Sequence, residues 1–407
     1  MIKVHKIRLY PNNKQATYFK KACGTARFAY NWGLDKWKTM FEAGEKPTGT
    51  KIDKEFNKIK KELFPWVSEV TKWATQMVLQ EDLNNAFKQF FNKTGKYPQY
   101  KKRGIRDSFR MYPVNNNLRI DGLQIKIPRL GWVKMAQTLR FIGKIGYCTI
   151  SRKADKWFIS ISVEVETPEI IHNGENQTIG VDLGVKTFAT LSNGTVFEGR
   201  KVSKEFESKL RRIQKELSRR VGSKKGEKKS KNYLKTQLKL SRLYLRMANV
   251  RNDQIHKLTY HLTQSFSIIG IEDLNVSGMV KNHKLAKNIQ DRSFYEFRRQ
   301  LEYKALETGS RVIVADKFYA SSKICNVCGN KNENLELKDR VWICSHCFTT
   351  HERDVNAAIN LKNNAVGVTV SACGELGVVD PSMKQEFSCG AVSHKSEEKK
   401  LCAELSI

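Results

Sequence analysis

No apolar run in the chain approaches the ~20 residues that a membrane-spanning helix needs, which excludes a helical membrane anchor. The opening residues, Met1-Ile2-Lys3-Val4-His5-Lys6, contain no apolar segment of the kind that heads a secretory leader. Negative charge is scarce: 41 Asp and Glu stand against 73 Lys and Arg, for a formal net charge of +32. A globular chain this short of acid is suited to holding a polyanion. Nucleic acid is the commonest polyanion, and an anionic membrane surface is the competing partner. A paired-cysteine framework is also missing. Four of the nine cysteines cluster and the others show no interpretable spacing, so a reduced, intracellular protein is expected. There is no His-hydrophobe-His motif of the kind that accompanies a tyrosine nucleophile in strand-joining transposases.

The 407 residues suffice for two to four domains at roughly 100–200 residues each. Val4, Ile7 and Leu9 alternate with Lys3, Lys6 and Arg8, predicting a strand that ends at Tyr10-Pro11. Three- and four-residue spacing of apolar residues then predicts helices over Ala16–Trp37, Phe56–Leu63 and Thr71–Phe91. From Tyr97 to Arg110 rings interleave with Lys101, Lys102, Arg103, Arg106 and Arg110, a pattern suited to stacking bases and neutralising phosphates. Strands are predicted at Leu118–Asp121, Leu123–Ile127, Trp132–Met135, Lys144–Lys153 and Trp157–Glu166. They suggest a small barrel or folded sheet, which the N-terminal strand can join, leaving the helices between as an insertion.

A polar connector follows, and then a strand meander over Thr178–Gly194 with one acid, Asp182, in an apolar strand. Burying a carboxylate without a partner is costly, so Asp182 needs a reason. Lys204–Arg251 holds seventeen Lys and Arg against four Glu and reads as a basic helical hairpin broken at Gly222–Gly226. A buried strand runs through Ser267–Leu274 and ends in Glu272 and Asp273. Arg292–Thr308 reads as helix and Arg311–Ala315 as strand. Residues after Val366 lack periodicity and read as a poorly ordered tail.

Cys325-x2-Cys328 and Cys344-x2-Cys347 offer four thiolates to one tetrahedral ion, which suits structural zinc; iron shares this geometry. Four cysteines complete the shell, so His346 and His351 are taken as non-ligands. Asp182, Glu272 and Asp354 are the remaining chemistry. In a ribonuclease-H-like sheet the first and fourth strands are neighbours, so acids at their ends can converge, and a C-terminal helix can add a third. Acids packed together repel unless divalent cations join them. Magnesium prefers oxygen ligands, and two ions ~4 Å apart assist phosphodiester hydrolysis. Asn356 lies close enough to orient a ligand.

The motifs Ile179-Gly180-Val181-Asp182-Leu183-Gly184, Gly270-Ile271-Glu272-Asp273-Leu274, the four cysteines and Arg353-Asp354-Val355-Asn356-Ala357-Ala358-Ile359-Asn360 resemble the TnpB (OrfB) proteins of insertion sequences, relatives of the type V CRISPR effectors. Arg8-Leu9-Tyr10-Pro11, Ala26-Arg27-Phe28-Ala29-Tyr30-Asn31 and Tyr97-Pro98-Gln99-Tyr100-Lys101-Lys102 extend the likeness over nearly the whole chain. The resemblance implies an α/β multidomain protein. Its parts would be a wedge β-barrel (1–10 and 118–176), a helical recognition domain (11–117), an RNase H-like RuvC nuclease domain (177–324 and 348–366), a zinc ribbon (325–347) and a tail (367–407). It also implies an RNA-guided DNA endonuclease, cutting double-stranded target DNA beside a short adjacent motif. The expected partners are a guide RNA from the transposon end and two catalytic Mg ions on Asp182, Glu272 and Asp354. One structural Zn is expected on Cys325, Cys328, Cys344 and Cys347. A monomer with its RNA, in a prokaryotic cytoplasm and on the nucleoid when bound to DNA, would follow. Lys72, Gln76 and Asn115 would lie near the adjacent-motif duplex. Family members without the acids act as RNA-guided repressors; here all three acids are present.

Overall fold

The computed structural model describes residues 1–113, 118–166, 177–221, 229–336 and 338–373. The predicted connector, the Gly222–Gly226 break, Asn115 and the tail beyond Cys373 lie outside them. The chain divides into two compact units, one comprising Met1–Asn173, Gly199–His261 and Val276–Gly309, the other Gly174–Glu198, Leu262–Asn275 and Ser310–Ile407.

The first unit is built on strands β1 (Ile2–Tyr10), β2 (Ser108–Met111), β3 (Arg119–Asp121), β4 (Gln124–Ile127), β5 (Gly131–Met135), β6 (Lys144–Lys153) and β7 (Lys156–Glu164). They form one seven-stranded sheet in the order β2-β6-β7-β1-β5-β4-β3. The N-terminal strand does join the later strands, pairing with β7 along its length. Among the described residues the expected barrel is not seen to close. Closure would require β2 and β3 to pair, and they stand at opposite edges of an open sheet. Instead β2 turns Phe109 and Met111 into the core shared with the helices.

Four helices come from the insertion: α1 (Asn13–Glu42), α2 (Gly49–Leu63), α3 (Trp73–Met77) and α4 (Asn84–Phe91). Asn12 and Gln15 start α1 with a reciprocal capping box, each side chain accepting the other's backbone N–H at 2.9 and 3.0 Å. Phe19 then packs on Trp157 of β7 and Phe109 of β2, with ring centroids 5.1 and 6.1 Å away. A π-helical turn, Val78–Leu83, lies between α3 and α4.

Six further helices, the basic α6 and α7 among them, also fall in the first unit, although the resemblance assigns their residues to the nuclease domain. They are α5 (Val202–Glu205), α6 (Glu207–Arg219), α7 (Lys231–Ser265, of which the part to His261 belongs here), α8 (Val276–Val280), α9 (His283–Arg292) and α10 (Phe294–Thr308). Ion pairs supply a physical reason. Arg242 of α7 forks onto Asp155 at 2.6 and 3.1 Å, and Lys3 of β1 meets Glu307 of α10 at 3.6 Å.

The second unit holds β8 (Thr178–Leu183), β9 (Ala189–Leu191), β10 (Val196–Phe197), β11 (Ile268–Ile271) and β12 (Arg311–Val314) in the order β10-β9-β8-β11-β12. β8 to β10 are antiparallel, while β11 runs parallel to both β8 and β12. First and fourth strands are therefore neighbours, as a ribonuclease-H-like sheet requires. A two-stranded ribbon, β13 (Val341–Ile343) and β14 (Thr350–Glu352), leads into the helix α11 (Arg353–Cys373). This helix continues past Val366, where the tail was expected to begin. Thr369 accommodates the helix by turning its hydroxyl back to the carbonyl of Ala365 at 3.0 Å.

Two glycines decide where α11 lies. Gly180 of β8 and Gly270 of β11 are paired in register. A Cβ at Gly180 would stand 1.9 Å from the carbonyl oxygen of Ala358, and one at Gly270 would stand 2.4 Å from that of Leu361. The helix backbone thus rests directly on a floor without side chains. Gly180→Ala is expected to destabilise the fold by roughly 1–3 kcal/mol or more, as overpacking does. Gly367→Ala on the same helix, where an added Cβ meets nothing within 4 Å, should be neutral or stabilising. Chemical denaturation of the two variants checks the contrast.

Candidate active site and metal centre

Register places the first two acids. Val181 pairs with Ile271, so Asp182 and Glu272 follow side by side at the same ends of parallel strands. Side chains alternate along a strand, which puts Asp182 on the face of Gly180 and Glu272 on the face of Gly270. That is the face covered by α11. Asp354 sits in the helix's first turn, on one stripe with Ala358 and Leu361 at four- and seven-residue steps. The backbone of those last two residues touches the glycine floor.

The electrostatics reflect this convergence. Burial, then the negative charges of Glu272 and Asp354, hold the Asp182 carboxyl well above the usual carboxylate range, with Arg353 and Arg340 opposing. Burial also raises Glu272, against a hydrogen bond from the Ser321 hydroxyl and the charge of Arg353. Arg340 engages Asp354 with one guanidinium nitrogen, 3.1 and 3.4 Å from the two carboxylate oxygens. The ribbon ladder fixes that cation. Val341 pairs with Glu352, and one residue further the Arg353 N–H donates to the Arg340 carbonyl at 2.8 Å.

Three half-buried carboxylates, two of which oppose the ionisation of Asp182, offer oxygen ligands of the kind divalent cations prefer. The cysteines suit a different ion. Their donor atoms all lie within 4.8 Å of one another. The Cys325–Cys347 and Cys328–Cys344 sulfurs are 3.5 and 3.6 Å apart, and a tetrahedron of ~2.3 Å Zn–S bonds has edges of ~3.8 Å. His351, expected only as a non-ligand, is buried with its Nε2 3.0 Å from the Cys325 sulfur and its ring 4.7 Å from that of Trp342. It is placed to hydrogen-bond a ligand and fix its direction.

The predicted nucleic-acid contacts among the described residues divide into two groups, all in the first unit. Lys101 pairs with Asp82 at 3.2 Å and covers the Tyr30 ring at 4.0 Å. Arg110 bridges Glu81 and Asp82 at 2.7 and 2.8 Å. Both cations are therefore engaged within the unit. Lys102, Arg103 and Lys72 are exposed and Gln76 is half-buried. Lys72 lies over the Trp73 ring and, with Lys60, Lys61 and Arg129, lines a cavity of about 220 Å³. The Asn356 amide bonds the backbone on either side of Cys325. Arg340, Ser321 and Asn360 were not singled out from the sequence. Arg340 lies at the start of the ribbon, Ser321 in the loop before the cysteines, and Asn360 within α11 itself.

Comparison with known proteins decides the family. InsQ of Escherichia coli (strain K12), provisionally named an RNA-guided DNA endonuclease, is 33% identical over 407 residues, spanning 95% of this chain and 97% of its own. The chain belongs to the TnpB (OrfB) family. A similarly named relative from Streptomyces pristinaespiralis is 31% identical over 91% of the chain and 90% of its own length. Family models match at residues 1–46 (helix-turn-helix domain), 160–283 (OrfB_IS605, probable transposase) and 294–361 (Cas12f1-like, TNB domain). The fold matches the solved Cas12f1–sgRNA–target DNA complex at a TM-score of 0.58 and 15% identity, covering 86% of this chain and 83% of that one.

Two outcomes are expected of the purified TnpB protein. Metal analysis should give about one zinc per chain, lost when Cys325 and Cys344 are both changed to serine; full retention would refute the assignment. The second concerns Asp182. Its pKa is raised in the folded state, so in magnesium-free buffer its penalty is absent below the unfolded value. The penalty grows as pH rises through the folded value. Asp182→Asn should therefore melt above wild type at pH 8, and the gap should close toward pH 4.

Proposed function

We propose that this chain is an RNA-guided, magnesium-dependent DNA endonuclease. The single observation that carries the reading is the placing of Asp182 and Glu272 side by side at the ends of paired strands, with the negative charges of Glu272 and Asp354 both acting on Asp182. The provisional names of InsQ and the Streptomyces relative support the same activity. The solved Cas12f1 complex contains guide RNA and target DNA, and this chain, at +32, has the charge to take both.

In this reading Asp182, Glu272 and Asp354 would hold two magnesium ions, which activate water and stabilise the leaving oxygen in phosphodiester hydrolysis. The glycine floor sets the height of Asp354 over the strand ends. Ser321 orients Glu272 through its hydroxyl, and Arg340 offsets the charge of Asp354 while no cation is bound. The zinc is structural, because four cysteines leave no open position. Sequence choice comes from pairing between guide and target strand, while the protein reads a short adjacent motif and the backbone. The exposed Lys72, Lys102 and Arg103, together with Gln76, would serve those contacts. The protein acts as a monomer with its RNA in a prokaryotic cytoplasm, on chromosomal DNA; no described helix is long and apolar enough to cross a membrane.

The test uses protein purified with its co-expressed RNA, a plasmid carrying the matching target, and magnesium. Wild type should cut and Asp182→Ala should bind without cutting. Binding without cleavage by both proteins would instead identify an RNA-guided repressor, and strand-joined products without RNA would identify a transposase.

A further inference from the structure

We propose that Asn356 and Asn360 are positioning residues that couple the zinc ribbon to Asp354, so that the cysteine-held knuckle sets where that carboxylate stands. The inference rests on the reading that Asp354 helps hold the catalytic cations.

Both asparagines lie within α11 and are almost fully buried, with 1% and 3% of their surface exposed. Asparagine is a poor helix former, and a buried amide is costly unless bonded, so two of them on one helical face require a purpose. Asn356 donates from Nδ2 to the Ile324 carbonyl at 2.7 Å and accepts at Oδ1 from the Asn326 N–H at 3.0 Å. Those two backbone groups flank Cys325, so one amide grips the chain on both sides of a zinc ligand. A carbonyl on one side and an N–H on the other leave a single sensible orientation for the amide.

Asn360, one turn on, donates to the Ile324 and Ser321 carbonyls at 2.6 and 2.8 Å. The hydroxyl of the same Ser321 donates to Glu272. Tyr319 closes the strap by donating to the Asn360 carbonyl at 3.2 Å. The segment from Tyr319 to Asn326 therefore reaches two of the three acids, Glu272 directly and Asp354 through α11.

Helical geometry makes the coupling mechanical. At ~100° per residue, Asn356 and Asn360 lie about 200–240° round the axis from Asp354, while Ala358 and Leu361 lie on Asp354's side. The helix is thus held between the glycine floor and the knuckle. If the knuckle loosens, one of the two surfaces that fix α11 is lost and the first turn is free to shift.

The test is hydrogen exchange across residues 353–361 of the full chain, with zinc content and the magnesium midpoint for cleavage measured alongside. In Asn356→Ala, zinc should stay near one per chain and guide and target binding should be unchanged. Exchange over 353–361 should speed up, and the same increase is expected of wild type stripped of zinc. The magnesium midpoint should rise about tenfold or more, the usual cost of losing an outer-shell partner. A merely structural role would lower the active fraction and leave the midpoint in place. Should Asn356→Ala lose its zinc, Asn326→Pro removes one clamp donor from the ribbon side with α11 untouched, and the same shifts are expected. Wild-type exchange and midpoint in a variant that keeps its zinc would overturn the proposal. An Asp354→Ala protein that still cuts would overturn the carboxylate reading instead, and the exchange rates alone would then judge the coupling.

Discussion

The contact between the backbone of α11 and the Gly180–Gly270 pair is the constraint on which the rest of the second unit depends. A helix normally stands about 10 Å off a sheet on layers of side chains. Here two adjacent residues without side chains let it come down onto the strands. The acids that follow each glycine by two residues then share a face and an end with the first turn of that helix. Any larger residue at either position would lift the helix and separate Asp354 from the other two carboxylates.

This closeness has an electrostatic cost that the unit only partly offsets. Arg340 neutralises Asp354, Ser321 bonds Glu272, and Asp182 accepts no comparable partner among the hydrogen bonds described above. Burial and the two neighbouring negative charges accordingly hold the Asp182 carboxyl well above the usual carboxylate range. A site that leaves Asp182 and Glu272 raised, with Asp354 paired to Arg340, is poised to take cations, which would satisfy all three together.

Much of this was legible in the sequence because the chemistry lies at the ends of apolar strands. Asp182 and Glu272 stand out against Ile179, Val181, Ile269 and Ile271, and the cysteine spacing is self-explanatory. The strands from Arg119 to Glu164 were readable from period-two alternation. What escaped depends on long-range pairing. Strand β2 hides in a basic stretch because its Phe109 and Met111 are only two apolar residues. The pairing of Lys101 and Arg110 with Glu81 and Asp82 was not legible, because nothing local shows that these groups meet across the fold. Arg340 was invisible for the same reason, since its partner is chosen by the register of β13 on β14. The open edge of the first sheet was hidden as well, because alternation describes a strand and says nothing of whether the outermost strands meet.

The most direct measurement is an anomalous difference map from crystals of the protein grown with manganese, which substitutes for magnesium at oxygen sites. Convergence of the three acids predicts manganese peaks ~2.1 Å from carboxylate oxygens of Asp182, Glu272 and Asp354 together. Manganese bound elsewhere, with Asp354 turned away from the strand ends, would contradict the account.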